Sequence, residues 1–276
     1  MDTFFLFGYN KSGTTFLQQL VDSHTNVNCP PEHHLNSVAN MIKSFCDQYK
    51  PLIQKFDDRT AQQGLRFDEN IVMRHTFRSF IEAFMLCGAG KTTTHVGIND
   101  NSMGLNLEFF AELFPGAKFI AILRDPREIT VSLYHHKMRT EEEFRNRQGT
   151  LAMVAAAVGP AWANHMEKLK AFEENTRFEG RLYVTRYEDL IGEKKYAELG
   201  KIFFHIGLKV DENLIANIFS MNDFEKKRGQ NPVGFFRAGK CDTWREELPG
   251  EDLRAIESPA GAMMRHYGYN PATENI

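Results

Sequence analysis

Four large apolar residues in a row, Phe4-Phe5-Leu6-Phe7, end at Gly8, and a few residues later the apolar positions change period. A short run that is apolar on both sides reads as a strand inside a covered, mostly parallel sheet. Leu17, Leu20 and Val21 then share one helical face, so a helix opens at about Ser12 to Thr14. The same alternation recurs along the chain. Ala117 to Leu123 and Leu182 to Thr185 read as further buried strands, with weaker candidates at Asn26 to Cys29 and Thr94 to Ile98. Helical patterns cover Thr14 to Asp22, Leu35 to Tyr49, Val72 to Leu86, Leu105 to Phe114, Arg127 to Met138 and Val154 to Asn175. Strands alternating with helices predict an α/β fold whose sheet is covered on both faces. With no repeat and no plain linker, residues 1–276 read as a single domain. Polar Asp57 to Asn70 reads as a surface loop or lid element, and Gly229 to Gly239 as a loop.

The turn after the first strand is Gly8-Tyr9-Asn10-Lys11-Ser12-Gly13-Thr14-Thr15. Strand, glycine turn and helix start together present backbone N–H groups and a helix dipole to an anion. Lys11 adds a full positive charge, and Ser12, Thr14 and Thr15 add hydroxyls. The plain alternative is an ordinary turn whose helix is capped by Ser12 or Thr14. The lysine precedes the glycine, unlike the phosphate loop of nucleotide triphosphatases, G-x-x-x-x-G-K-[ST].

Two more strand ends carry candidates. Ala117 to Leu123 runs into Arg124-Asp125-Pro126-Arg127-Glu128, where Asp125 and Pro126 start a helix. Ser132 lies two turns along that helix, so Arg124 and Ser132 could share a second phosphate, for which the planar guanidinium is suited. Alternatively Arg124 pairs with Asp125 or Glu128 and Ser132 bonds its own backbone. Tyr187 follows the third strand at its carboxyl end, where open α/β sheets bind ligands, and it suits an adenine edge or plain packing. Near the C-terminus, Phe235-Phe236-Arg237-Ala238-Gly239-Lys240-Cys241-Asp242-Thr243-Trp244 could close over a nucleotide with Trp244 as anchor, or be a solvated basic loop.

Together these segments resemble the PAPS-dependent sulfotransferases, which use 3′-phosphoadenosine-5′-phosphosulfate. Tyr9-Asn10-Lys11-Ser12-Gly13-Thr14-Thr15-Phe16 is similar to that family's 5′-phosphosulfate loop, with Asn10 for proline and Phe16 for tryptophan. Arg124 and Ser132 match its 3′-phosphate motif, and Tyr187 in Tyr-Glu-Asp-Leu matches its adenine residue. Arg237-x-Gly239 with Trp244 is similar to its C-terminal motif, with Ala238 replacing a basic residue and Thr243 an aspartate. The resemblance spans residues 4 to 245 in family order. It implies a three-layer, P-loop-like α/β fold, PAPS as donor, PAP as product and no metal. Lys11, Ser12, Gly13, Thr14, Thr15, Arg124, Ser132, Tyr187, Arg237 and Gly239 would then bind the cofactor, Lys11 also stabilising the leaving group.

For the base, Pro30-Pro31-Glu32-His33-His34 resembles the Pro-x-Glu-x-His region of bacterial and heparan-type members, which points to Glu32 first. His95, in Thr93-Thr94-His95-Val96, resembles the base segment of cytosolic members, and Asp100 is a third candidate. The implied acceptor is a small hydroxyl or amine compound. Phe45, Phe77, Phe80, Phe84, Phe235 and Phe236 could line its pocket or form core.

The net charge of -3 speaks against a general nucleic-acid binder. No window approaches the length of a bilayer span, and no basic leader followed by an apolar stretch stands at the N-terminus. The four cysteines form no CxxC pair, which fits reduced thiols and a cytoplasmic setting. The competing readings are a kinase or NTPase using ATP and magnesium, and a nucleotide-binding protein of the same fold without chemistry.

Overall fold

A computed structural model describes residues 1–31, 34–60, 67–223 and 242–273. Five strands form one sheet in the order β2-β3-β1-β4-β5, and every neighbouring pair is parallel. They are β1 (Asp2–Gly8), β2 (Val27–Asn28), β3 (His95–Asn99), β4 (Lys118–Leu123) and β5 (Leu182–Arg186).

The unbroken apolar runs are explained by side-chain alternation between two cores. Phe5 and Phe7 of β1, with Phe119, Ala121 and Leu123 of β4, face one side. There they meet α2 (Leu35–Thr60), α3 (Glu69–Leu86), α4 (Leu107–Leu113), α7 (Leu151–Glu174) and the C-terminal helix Gly250–His266. Phe4 and Leu6, with Ile120 and Ile122, face the other side. Here they pack on α1 (Thr14–Asp22), α8 (Tyr187–Ile191), α9 (Lys195–His205) and α10 (Glu212–Met221). Helices therefore cover both faces of the sheet, giving three layers.

The predicted loop from Asp57 to Asn70 is corrected at both ends. Helix α2 continues to Thr60, and α3 opens at Glu69, capped by the Asp68 carboxylate accepting from the N–H groups of Asn70 and Ile71. Pro51 lies inside α2 rather than beyond its end. The carbonyl one turn earlier, which loses its helix bond to proline, belongs to exposed Asp47 and faces solvent rather than core. Of the phenylalanines weighed for an acceptor pocket, Phe77 is core, Phe80 and Phe84 pack against it half-buried, and Phe45 is exposed. Phe235 and Phe236 lie outside the described residues.

Candidate active site

The carboxyl end of β1, the central strand, leads into the glycine turn. Lys11 and Gly13 both adopt left-handed backbone, with φ of 69° and 98°. The Ser12 N–H donates to the Tyr9 carbonyl at 3.0 Å, closing the turn before α1 begins. Gly13 is the residue at which this turn requires glycine: a Cβ there would lie 2.4 Å from Cδ2 of Tyr187. It also occupies the cap position of α1, and no side chain caps that helix. The capping alternative for Ser12 and Thr14 is therefore not realised. Ser12 is fully buried, and its hydroxyl has no hydrogen-bond partner among the described residues. A buried unpaired hydroxyl beside an uncapped helix start and a lysine forms a cradle for an anion. Thr14 is buried and Thr15 half-buried at the same helix start.

Arg124, at the end of β4, is stitched to this turn. Its Nη1 donates to the Lys11 carbonyl at 3.1 Å and its Nη2 to Glu128 Oε2 at 3.3 Å. The guanidinium lies 4.5 Å from the centre of the Tyr187 ring, and its Nε is buried without a partner among the described residues. Both earlier readings of Arg124 thus contain part of the arrangement: the pairing with Glu128 exists, and a donor is left over. Ser132, on α5 (Pro126–Thr140), is half-buried and forms no hydrogen bond among the described residues. Tyr187 starts α8 directly after β5, with its ring edge-on to Phe16 at 6.4 Å. Three strand ends thereby bring Lys11, Ser12, Gly13, Arg124 and Tyr187 into one cluster.

Asp125 is engaged differently from a magnesium ligand. It accepts from the Arg127 N–H at 2.9 Å, capping α5, and both its oxygens hold the Arg127 guanidinium. Among the described residues no group of three or more His, Cys, Asp or Glu side chains is arranged to hold a metal ion.

The base candidates separate cleanly. His95 does not join the site. It opens β3 and stands in register with Asp2, at the amino end of the sheet. Its Nε2 lies 3.5 Å from the Asp2 carboxylate, and its Nδ1 meets the Thr94 hydroxyl at 2.8 Å. Gly8 lies six positions after Asp2, about 20 Å of strand. Asp100 is at the correct end, but its oxygens accept from the N–H groups of Leu35 and Ser102, at 2.7 and 2.8 Å, and from the Ser102 hydroxyl. It fastens the start of α2 to the sheet edge. Glu32, Arg237 and Gly239 lie outside the described residues.

Two supports escaped sequence reasoning. Asn101 Nδ2 donates to Asn10 Oδ1 at 3.2 Å, holding the turn from the β3 side. The His165 ring, on α7, meets the Tyr9 ring edge-on at 5.8 Å. His165 is buried, and desolvation, helped by Lys168, pushes its pKa down to about 4. Gly104 lies against that ring so closely that a Cβ would approach Cε1 to 2.1 Å. Glu128, weighed above as a partner of Arg124, lies in the first turn of α5 and adds a support on the β4 side. Trp244, expected as an anchor, is buried with the Arg127 guanidinium 3.9 Å from its ring centre.

The fold and this cluster define a P-loop-like α/β protein whose central turn is built to hold a phosphorylated ligand. The profile of the Sulfotransferase family matches residues 3–212, and the chain belongs to that family. Protein-tyrosine sulfotransferase A of Caenorhabditis elegans is 24% identical over 276 residues, covering 97% of this chain and 67% of that protein. Protein-tyrosine sulfotransferase 1 of Mus musculus is 26% identical over 141 residues, 50% of this chain but only 35% of the mouse protein. Among solved structures, a mouse sulfotransferase complexed with PAP superposes with a TM-score of 0.62 at 15% identity, covering 96% of this chain and 84% of that one.

Proposed function

We propose that the chain transfers a sulfuryl group from PAPS to a hydroxyl or amine of a small-molecule acceptor, releasing PAP. The observation that carries this reading is the turn itself. Left-handed Lys11 and Gly13 start an uncapped α1 beside fully buried Ser12 and half-buried Arg124, whose buried Oγ and Nε lack partners among the described residues. Two unpaired buried polar atoms and an open helix start fit the two phosphorylated positions of the nucleotide.

In this reading Lys11, Ser12 and the first N–H groups of α1, with Thr14 and Thr15, hold the 5′-phosphosulfate. Arg124 and Ser132 hold the 3′-phosphate together with Arg237, Gly239 lets that segment approach, and Tyr187 borders the adenine. PAPS supplies the activated sulfuryl group. Lys11 and the N–H groups stabilise charge that develops on the leaving side, in a buried setting where fixed donors are worth most. Glu32 takes the acceptor proton. Its support is chain order: it stands three residues before Leu35, which is bonded to Asp100 at the carboxyl edge that also carries the turn. A cytoplasmic setting belongs to the same reading and is supported by Cys29, Cys46 and Cys87, which are free thiols.

Calorimetric titration with PAP in the absence of metal, beside ATP with magnesium, tests the donor class. Tight PAP binding is the expected result; binding of ATP with magnesium and none of PAP would overturn the reading. Transfer from labelled PAPS to a panel of alcohols, amines and phenols then defines the acceptor. Phenols belong in it because relatives are named for tyrosine.

A further inference from the structure

The carboxylate of Glu128 joins two parts of the chain more than a hundred residues apart. It is 3% exposed. Its Oε2 accepts from Arg124 Nη2 at 3.3 Å. Both oxygens accept from the Thr243 hydroxyl, at 3.1 and 3.2 Å, and Oε1 accepts from the Trp244 N–H at 3.1 Å. The Trp244 ring is in turn covered by Arg127, which Asp125 and Glu257 clamp through ion pairs of 2.6 and 2.9 Å.

Two consequences follow for Arg124. Its guanidinium is tethered on one nitrogen by the Lys11 carbonyl, on another by Glu128, and its face is stacked on Tyr187. Rotation about the end of the side chain is thereby blocked, and the unpaired Nε and the remaining N–H groups keep a fixed direction. A carboxylate needed only to fasten Thr243 and Trp244 would not have to sit beside a cation at the nucleotide cluster. A buried negative charge that close to a phosphate site is costly unless it organises the group that binds the phosphate.

We propose that Glu128 is a positioning residue that sets selectivity for 3′-phosphorylated nucleotides. It orients Arg124 and, through Thr243 and Trp244, fastens the C-terminal part of the chain at the same point. This rests on the reading above in which Arg124 takes the 3′-phosphate.

The test compares binding of PAP and of 5′-AMP, which lacks the 3′-phosphate, to the unaltered chain and to Arg124→Ala, Glu128→Gln and Thr243→Val. Calorimetry reads both affinities, and thermal melting monitors the fold. Arg124→Ala is expected to erase the preference for PAP. Glu128→Gln is expected to cut the preference at least about ten-fold, because the hydrogen bond to Arg124 loses the charge on its acceptor, with AMP affinity within about two-fold. Thr243→Val is expected to give a smaller cut in the same direction. If Arg124→Ala keeps the preference, the assignment of Arg124 fails and takes this inference with it. If Arg124→Ala erases it but Glu128→Gln preserves or strengthens it, Glu128 merely opposes the phosphate and the inference alone fails. Equal weakening of PAP and AMP by Glu128→Gln would mark general damage and also overturn it. Should Glu128→Gln not fold, Glu128→Asp keeps the charge, withdraws the oxygens by one methylene and carries the same expectation.

Discussion

Replacing Gly13 by alanine sets two separable costs against each other. The backbone there has φ of 98°, and an L-residue held in left-handed space loses roughly 1–2 kcal/mol. The added Cβ would also sit 2.4 Å from Cδ2 and 2.9 Å from Cε2 of Tyr187. Tyr187 has little room to yield, being 6% exposed with Arg124 across its face. Overpacking of this kind costs about 1–3 kcal/mol. The total of about 2–5 kcal/mol corresponds to a fall in Tm on the order of 5–15 °C for a chain of this size. PAP affinity should fall as well, because the start of α1 must shift to relieve the contact. A double-mutant cycle with Tyr187→Ala separates the costs. In that background the contact is gone, so Gly13→Ala should cost only the backbone part, giving a coupling of about 1–3 kcal/mol. Thermal melts and PAP titrations of the four proteins supply the numbers. A coupling of zero would refute the steric reasoning, and unchanged Tm and PAP affinity in Gly13→Ala would refute the placement of the turn on Tyr187.

Lys11→Ala should abolish measurable transfer from PAPS while its melting curve stays close to that of the unaltered chain; retained turnover would remove Lys11 from leaving-group stabilisation. Glu32→Gln should lower kcat about 10²–10⁴-fold, the usual share of a general base, whereas His95→Gln should leave kcat within about two-fold. His165 makes stability depend on acid. The unfolded chain binds its proton near the ordinary value of 6.5, the folded chain only at about 4, so stability is full above that window and falls as pH drops through it. The total from His165 is about 3 kcal/mol, and His24 and His205, also lowered by burial, act in the same direction. Denaturant titrations between pH 7 and pH 4 should show the loss, with a shallower slope in His165→Gln; an unchanged slope would refute it.

The elements nearest the site were legible because their signals are local. Thr14–Asp22 matches its expected helix at both ends, since an apolar stripe begins directly behind the glycine turn. Arg124 could be placed because it ends the apolar run Phe119 to Leu123, and Tyr187 because it follows the short strand Leu182–Arg186 at its carboxyl end. The passage of α2 through Pro51 was not legible: the residue that normally ends a helix is tolerated where exposure replaces the lost bond. Gly250–His266 carries Gly250, Pro259 and Gly261, which weaken its pattern, and its packing against α7 is a tertiary fact. Glu128 sits one turn from Arg124 in the sequence, but its partners Thr243 and Trp244 are 115 and 116 residues away. The local spacing offered its pairing with Arg124, but no local pattern could show that it also holds Thr243 and Trp244.

His95 and Asp100 show why residue type is a weaker guide than position relative to a strand. They are five apart and bracket β3, which runs His95–Asn99. In a sheet with every pair parallel, all carboxyl ends share one edge, so the residue that opens a strand and the one that closes it face opposite ends of the molecule. A histidine resembling a base was therefore excluded by a register that pairs it with Asp2, whereas the aspartate closing the strand reached the right edge. Asp100 then illustrates the second requirement. Its oxygens are occupied by backbone N–H groups and a hydroxyl, so it accepts hydrogen bonds that hold α2 and the 3₁₀ turn Asn101–Leu105 in place. A base needs the right edge and an oxygen not already committed to the backbone. Position counts against His95 and prior commitment against Asp100, which is why Glu32 is the base in the proposal above.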